Sequence, residues 1–200
     1  MRPHLISAAF VALCLAAPSA AQKVQAFAIN DMRANSSLVL FGADMMAGIT
    51  ITHGQPKWKD EYTSMLDKLK GRTNRLGRNL WTTFMTSVPV SIGGTPVAAG
   101  SYVVGLHCNK DGVFSLAMLD ASKAMKAGHL PFTAHDWTPD ATTPLTLNKN
   151  VAKKSVERML MTLAPTKGNP MKGTFTLAWG PHTLTAPLMV LPAKQADGGK

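Results

Sequence analysis

The side chains with the clearest binding chemistry lie in one basic stretch, KLKGRTNRLGRNLW, which begins at Lys68. Five Lys or Arg residues occur between Lys68 and Arg78, with no acid among them. An arginine side chain offers a planar fork of donors that suits a carboxylate or a phosphate, and an asparagine amide both donates and accepts. We therefore predict a ligand-binding basic corner that consists of Arg72, Arg75, Arg78, Asn79 and Trp81.

The same stretch also has a purely structural interpretation. Lys68 and Lys70 fall at the end of a helical pattern, where cations complement the free carbonyl groups of the last turn. Gly77 permits a tight turn between Arg75 and Asn79. Arg75 could then pair with an acid, and Asn79 could bond to the backbone where a loop enters a strand. The sequence leaves both interpretations open.

Several histidines are candidate metal ligands. His129, His135 and Asp136 fall within one Pro-containing segment, but the spacing of the two histidines is not that of a zinc motif. His107 and Cys108 are neighbours in a predicted strand, where adjacent side chains point to opposite faces and cannot easily share one ion. We therefore predict no metal site and no cofactor.

Nucleophilic catalysis has little support in the sequence. Cys108 lies on the apolar face of its predicted strand, where a thiol is usually inert, and no G-x-S-x-G motif is present. We assign no catalytic residue and predict a binding domain. The alternatives are a hydrolase that uses the His129 to Asp140 loop with His53 or His182, and a structural envelope protein that acts through a helix over 58–69.

The charge of the chain indicates what kind of partner it would bind. Only Arg2 of its 21 Lys and Arg residues lies in the first 21 positions, so the rest carries 20 bases against 11 acids, a net charge of +9. Such a surface favours anionic partners, namely envelope polymers or lipid head groups. No nucleic-acid motif is present, and we predict no nucleic-acid partner. The sequence does not indicate the oligomeric state.

The first 21 residues have the pattern of a signal peptide. Arg2 is followed by an apolar run over Leu5 to Ala17, and small residues at Ser19 to Ala21 suit cleavage before Gln22. The run is too short to span a membrane, and no later segment is apolar enough to do so. We expect an exported protein, periplasmic or extracellular, with Cys108 as its single cysteine after cleavage.

Period-two patterns dominate the rest of the chain. We predict an α-helix over 58–69 and a short helix with Asp120 as N-cap and Gly128 as its stop. The segment 129–144 is predicted to be an irregular loop. The predicted strands, many bounded by Gly or Pro, cover 38–41, 48–53, 80–92 (one long strand), 102–108, 113–119, 155–164, 173–179 and 183–190.

One run, RLGRNLWTTFMTSVPVSIGGTPVAAGSYVV, resembles the central block of domain of unknown function family 2911, a bacterial family of exported, mostly β proteins. The family signature contains R-x-G-x-N, then I-x-G, then A-G-x-Y. Leu80 departs from it by replacing a glutamate, and Asn74 by replacing a tryptophan. The matching residues are Arg75, Gly77, Asn79, Thr82, Ile92, Gly94, Gly100, Tyr102 and Trp179. The resemblance implies export and a β-sandwich, and it implies no activity.

These patterns together predict a mainly β protein, an antiparallel β-sandwich with one or two short helices. We expect a signal peptide over 1–21, a flexible lead-in over 22–37, a sandwich domain over 38–191 and a flexible tail over 192–200. No parallel β-α-β rhythm is present to build a nucleotide-binding sheet.

Overall fold

The structure, a computed structural model, describes residues 28–29, 31–42, 45–148 and 155–192. The predicted signal peptide, residues 22–27 and 30 of the predicted lead-in, and nearly all of the tail lie outside the described residues. Residues from Asp31 onward form one compact unit. Within the described part of the chain, no helix is both long and apolar enough to cross a bilayer.

Two antiparallel sheets form the unit, which confirms the predicted β-sandwich. The first sheet runs in the order β1-β2-β4-β7-β8-β9, with β3 paired to the end of β7. Its strands are β1 (Arg33–Gly42), β2 (Met45–Gly54), β3 (Arg72–Arg75), β4 (Thr82–Thr86), β7 (Gly100–Cys108), β8 (Phe114–Asp120) and β9 (Ala141–Pro144).

The second sheet runs in the order β11-β12-β13-β5-β6, with β10 paired to β13. Its strands are β5 (Val90–Ile92), β6 (Thr95–Val97), β10 (Thr146–Leu147), β11 (Val156–Thr166), β12 (Asn169–Gly180) and β13 (His182–Val190). The helices are α1 (Ala121–Lys126) and two 3₁₀ helices, Asp60–Leu69 and Pro131–Asp136.

Alternating side chains build the core between the sheets. In β12, Phe175 and Leu177 are buried, and the alternating residues Thr174 and Thr176 are only partly buried. Ile51 and Phe84 are cross-strand partners in the first sheet and are fully buried. Each fully buried side chain of this size stabilises the fold by about 1.5–3 kcal/mol. The described residues include a single cysteine, Cys108, and it is a free thiol. Burial rather than a disulfide therefore holds the two sheets together.

A smaller apolar cluster lies on the other face of the first sheet. Val103, Ala117 and Leu119 project from β7 and β8 and pack against Ala124 of α1 and Trp137. The Asp120 side chain accepts hydrogen bonds from the backbone N–H groups of Ser122 and Lys123, which confirms it as the N-cap of α1. The first sheet is therefore covered on both faces here.

The single long strand predicted over 80–92 is wrong. The chain runs through β4 in the first sheet, crosses at Ser87–Pro89, and enters β5 in the second sheet. Pro89 has no N–H to donate to a ladder and restricts Val88 before it. The Thr86 hydroxyl donates to the Val88 carbonyl at 2.6 Å and stabilises the crossing. Apolar alternation continues across the break, so the pattern alone hides the change of sheet.

Three further elements differ from the sequence prediction. β1 begins at Arg33, inside the predicted lead-in, because the polar run before Leu38 pairs with β2 and the Ser37 and Thr50 hydroxyls meet at 2.9 Å. The helix predicted from Trp58 is a 3₁₀ helix that begins at Asp60. The loop predicted over 129–144 contains the second 3₁₀ helix and β9.

Candidate functional site

The exposed residues of the basic corner have different local roles. Arg72 is exposed at the start of β3. Arg78 is also exposed, and its Nε lies 3.6 Å from Oδ1 of Asp31, a carboxylate whose side chain is only 4% exposed. Asn79 has a φ of 56° and is the one non-glycine residue of the described chain in the left-handed region. Its conformation has a structural use whether or not it binds a ligand.

The two larger side chains of the corner pack against the second 3₁₀ helix and its flank. The Arg75 guanidinium carbon lies 4.8 Å from the centre of the Phe132 ring. Trp81 meets Trp137 edge to face with ring centres 6.0 Å apart, and its carbonyl accepts a bond of 2.8 Å from Arg33. Whether these five corner residues bind a ligand stays a prediction.

The R-x-G-x-N block has a backbone explanation. Gly77 has a φ of 87°, and a Cβ there would lie 2.8 Å from the Thr82 hydroxyl oxygen. That hydroxyl donates to the Leu76 carbonyl at 2.7 Å and closes the turn. A Cβ on Gly54 would overlap the backbone of Arg78. Backbone geometry therefore accounts for Gly77 and Asn79 of this block, and it does not account for Arg75.

A cavity between the two sheets is the most complete candidate site. Its volume is about 150 Å³. Side chains of both sheets enclose it, together with residues of the segment 55–71, which we call the strap. Its lining residues are Trp58, Leu69, Asn74, Arg75, Leu76, Leu106, Phe114, Leu147, Met159, Leu177, Trp179, His182 and Leu184.

Apart from the Arg75 guanidinium, which lies against Phe132, two polar atoms of these lining residues have no partner. Asn74 Nδ2 and His182 Nε2 are buried, and neither makes a hydrogen bond. Asn74 is the cross-strand partner of Leu106, which packs on the main core, so its side chain faces the interior of the sandwich. Buried polar groups normally have partners. A ligand in the cavity could supply the missing ones.

An aromatic cluster closes the cavity. Trp58 of the strap meets Trp179 edge to face at 5.1 Å between ring centres and lies 5.4 Å from the His182 ring. Tyr62, in the first 3₁₀ helix, lies 5.2 Å from Trp179. Edge-to-face contacts of this kind add stability beyond the area they bury. The cluster therefore ties the strap to the β12–β13 hairpin.

Two hydrogen bonds also hold the strap in place. The Trp58 N–H donates to the Glu157 carbonyl at 2.6 Å, and Trp179 Nε1 donates to the Pro56 carbonyl at 2.9 Å. Gly180 has a φ of 59°, and a Cβ there would overlap the indole ring of Trp58. The absence of a side chain at Gly180 is what allows Trp58 to lie over the hairpin.

The histidines of the hydrolase alternative lie in different surroundings. His53 is fully buried, with Met161 N–H donating to its Nε2 at 3.1 Å and its Nδ1 donating to the Gly54 carbonyl at 3.1 Å. Burial lowers the pKa of His53, and the Arg33 charge lowers it further. His182 lines the cavity. Asp140 binds Lys123 at 2.6 Å, which lowers the pKa of that carboxyl.

His107 and Cys108, the two neighbours considered for metal or thiol chemistry, lie at the end of β7. His107 Nδ1 lies 3.0 Å from the Thr73 hydroxyl. Cys108 is buried, and burial raises the pKa of its thiol. The side chain of Asp136 lies outside the described residues. Among those described, no three His, Cys, Asp or Glu side chains are grouped to hold a metal ion.

The sequence analysis missed Asn74 as a candidate site residue and named His182 only for the hydrolase alternative. They lie more than 100 positions apart, in different sheets, and no local motif joins them. One signal was present, since Asn74 stands where the family signature has a tryptophan. A polar residue in place of a large apolar one, on a strand face directed inward, indicates a change in the core.

Comparison with known proteins identifies the family and no function. The model of the family described as "Protein of unknown function (DUF2911)" matches residues 42–188, so the chain belongs to that family. The matched range covers β2 to β13 almost completely and includes both the cavity and the basic corner. Searches of curated proteins and of solved structures find no match.

Proposed function

We propose that this chain is an exported binding domain that holds a small, uncharged and mostly apolar molecule in the cavity between its sheets. The observation that carries the proposal is the pair of buried, unpartnered nitrogen atoms, Asn74 Nδ2 and His182 Nε2, in an otherwise apolar cavity of about 150 Å³. An unsatisfied buried polar group costs about 1–3 kcal/mol. A ligand with one polar group would remove part of that cost.

The cavity also limits the size and chemistry of the ligand. An apolar cavity of about 150 Å³ accommodates a molecule the size of benzene. A hydroxyl group can accept from the Asn74 amide and donate to a histidine nitrogen at the same time. The best match is therefore a single-ring or short-chain alcohol, and phenol is the simplest probe.

Export is the second component of the proposal and rests on the pattern of the first 21 residues. Cleavage before Gln22 leaves both sheets intact, since β1 begins at Arg33. Mass analysis of the protein recovered from the periplasm or medium of a producing bacterium would give a chain that begins at Gln22. A full-length chain confined to the cytoplasm would contradict export.

Binding is tested by titrating the protein with phenol and, in parallel, with toluene. We expect phenol to bind more tightly, because toluene fills the same volume but leaves both nitrogen atoms unpartnered. Tryptophan fluorescence reports the event, since Trp58 and Trp179 line the cavity. Ligand binding also raises the melting temperature as the ligand concentration passes its dissociation constant.

A pair of matched variants distinguishes cavity binding from surface binding. Leu184→Phe adds volume inside the cavity, and Leu130→Phe makes the same change at a side chain that is 58% exposed. Phenol binding lost in the first variant and kept in the second would support the proposal. Equal binding by both folded variants, or no saturable binding by the unmodified protein, would reject it.

A further inference from the structure

Two buried donors on the outer face of the first sheet lack acceptors. Arg75 Nη1 and Trp137 Nε1 are both inaccessible to solvent and make no hydrogen bond. Trp137 as a whole is only 5% exposed. Most buried side-chain donors in folded proteins have a partner. A guanidinium without a partner costs more free energy than a neutral group without one, because it is charged.

Both side chains lie over the same glycine. Gly105 is the cross-strand partner of Arg75 in the β3–β7 ladder, so the two residues project on the same face. A Cβ on Gly105 would lie 3.2 Å from Cζ2 of Trp137. Because Gly105 has no side chain, the Trp137 indole can lie close to the strand residue that pairs with Arg75.

The aromatic cover over Arg75 supplies no acceptor for Nη1. Phe132 lies in the second 3₁₀ helix, and its ring centre is 4.8 Å from the guanidinium carbon. An aromatic face attracts a cation, but it provides no oxygen lone pair to a guanidinium N–H. Phe132 is itself 65% exposed, so an exposed ring forms the aromatic cover over the arginine.

The acids whose ion pairs are described bind other bases. Five such pairs exist among the described residues, and Arg75 takes part in none of them. They are Lys57–Glu157, Lys59–Glu61, Lys70–Asp67, Arg78–Asp31 and Lys123–Asp140. Among the arginines of the basic corner, Arg75 is therefore the one that is partly buried, and none of the described carboxylates forms an ion pair with it.

We propose that Arg75 and Trp137 form a binding site for the carboxylate of a small ligand, under the second 3₁₀ helix. A carboxylate carries one negative charge, which one guanidinium balances. Its two oxygens accept from an arginine fork, and one of them retains a lone pair for the indole N–H. Among the residues of the basic corner, Arg75 is therefore the one that binds the small carboxylate.

This site is separate from the cavity of the proposed function. Side chains of consecutive strand residues point to opposite faces, so Asn74 faces the interior and the Arg75 guanidinium faces the 3₁₀ helix. Arg75 borders the cavity as well. Since its charged end lies elsewhere, either proposal can fail without the other.

The test is a titration of the full chain with sodium formate, at constant ionic strength maintained with sodium chloride. The readout is the indole N–H signal of Trp137 in a proton–nitrogen correlation spectrum, assigned by its loss in Trp137→Phe. We expect a saturable shift of this signal. The Trp179 indole, which already donates to Pro56, is expected to stay in place.

Two arginine variants, one in each sheet, complete the experiment. Arg75→Lys keeps the charge and removes the fork, and we expect it to weaken formate binding at least tenfold. Arg158→Lys makes the same change in β11 of the second sheet and should leave binding unchanged. No saturable shift in the unmodified protein would overturn the proposal, as would an equal shift with chloride alone. Retained binding in a folded Arg75→Lys protein would also overturn it.

Discussion

Asn74 and Arg75 show how a single step along a strand changes the chemistry that a side chain can perform. Asn74 projects into the apolar interior, where its Nδ2 has no partner, and the Arg75 guanidinium lies against Phe132 on the opposite face. The sequence analysis placed Arg75 in an anion site from its residue type and position. It could not place Asn74, because an asparagine in a basic stretch looks like any other polar surface residue.

His53 is a fully buried residue whose protonation affects the stability of the fold. Its Nε2 accepts from the Met161 N–H, and the protonated ring would have no lone pair to do so. Burial lowers its pKa in the folded state below the ordinary value of 6.5. As the pH falls, the His53 ring is therefore protonated at a higher pH in the unfolded chain than in the folded chain.

We predict that the free energy of unfolding decreases as the pH falls from about 8 to about 5, starting near the ordinary histidine pKa. His53→Leu should remove this part of the pH dependence. It should also lower the stability by about 1–3 kcal/mol at the upper pH, because it leaves the Met161 N–H unsatisfied. Chemical denaturation at a series of pH values measures both effects.

His129→Leu provides the control for this experiment, since it removes a histidine that is only partly buried. It should keep the decrease in stability below the ordinary histidine pKa. The hypothesis fails if His53→Leu and the unmodified protein lose stability in parallel as the pH falls.

At the scale of elements, the strap and the β12–β13 hairpin depend on one another. Trp58 packs over Gly180, and the Trp179 indole donates to Pro56 in the strap. The helix of the strap is of the 3₁₀ type, whose hydrogen-bond geometry is poorer than that of an α-helix. The aromatic cluster and the hydrogen bonds of Trp58 and Pro56 therefore hold the strap in place.

Gly180→Ala tests this dependence. The added Cβ would overlap the Trp58 ring and force a left-handed alanine, at costs of about 1–3 kcal/mol for overpacking and about 1–2 kcal/mol for the backbone. We expect a lower free energy of unfolding in a denaturant titration, together with weaker phenol binding.

Gly168→Ala is the matched control, because Gly168 has a φ of 77° in another hairpin and no atom lies near its Cβ position. Gly168→Ala therefore has only the cost of placing an alanine in the left-handed conformation. The difference between the two variants isolates the contact with Trp58. If both variants lost the same stability and bound phenol equally, the strap would not depend on the hairpin.

The strands and their pairing were predictable where alternation and turn residues agree. Phe175 and Leu177 alternate with threonines, and the segment 109–112 joins β7 to β8 as expected. Alternation failed at Ser87–Pro89, because a strand that changes sheets keeps its buried side toward the same core. It also failed before Leu38, because polar residues of an edge strand resemble a loop until their partner strand is known.

At the scale of the whole molecule, the net charge of +9 after removal of the first 21 residues favours anionic surfaces. Arg72 is exposed at the start of β3 and is free to contribute. Arg78 is a poorer position for a test, because its removal would leave the buried Asp31 carboxylate without its ion pair.

We predict that the protein binds polygalacturonate or vesicles with anionic lipid, and that binding weakens as salt is added. Arg72→Ala should lower the binding free energy by about 0.2–1 kcal/mol, the range typical of an exposed charge. Co-sedimentation across a salt series measures this loss.

Lys126→Ala removes an equal charge from the last turn of α1 and separates a local effect from a general one. A larger loss at Arg72 would favour docking through the basic corner. Equal losses would assign the attraction to net charge alone, and binding that does not depend on salt would contradict the electrostatic prediction.

The cavity shows the limit of what could be predicted for the site. The sequence supplied the residue types that line it, and several of its apolar residues lie in strands that were predicted correctly. Its position depends on the register between strands that are distant in sequence, such as β3 and β13 in opposite sheets. No local pattern contains that register, so a site built across two sheets could not be predicted.

The crossing at Ser87–Pro89 also has a mechanical consequence. It joins the sheets where Val90 pairs with Val190 at one end of β13, while His182 and the cavity lie at the other end. Nine residues of extended strand separate these ends, a distance of roughly 30 Å. The chain crosses between the sheets again from β9 to β10, and β10 pairs with β13 at Leu184 beside the cavity. The sheets are therefore tied together at both ends of β13.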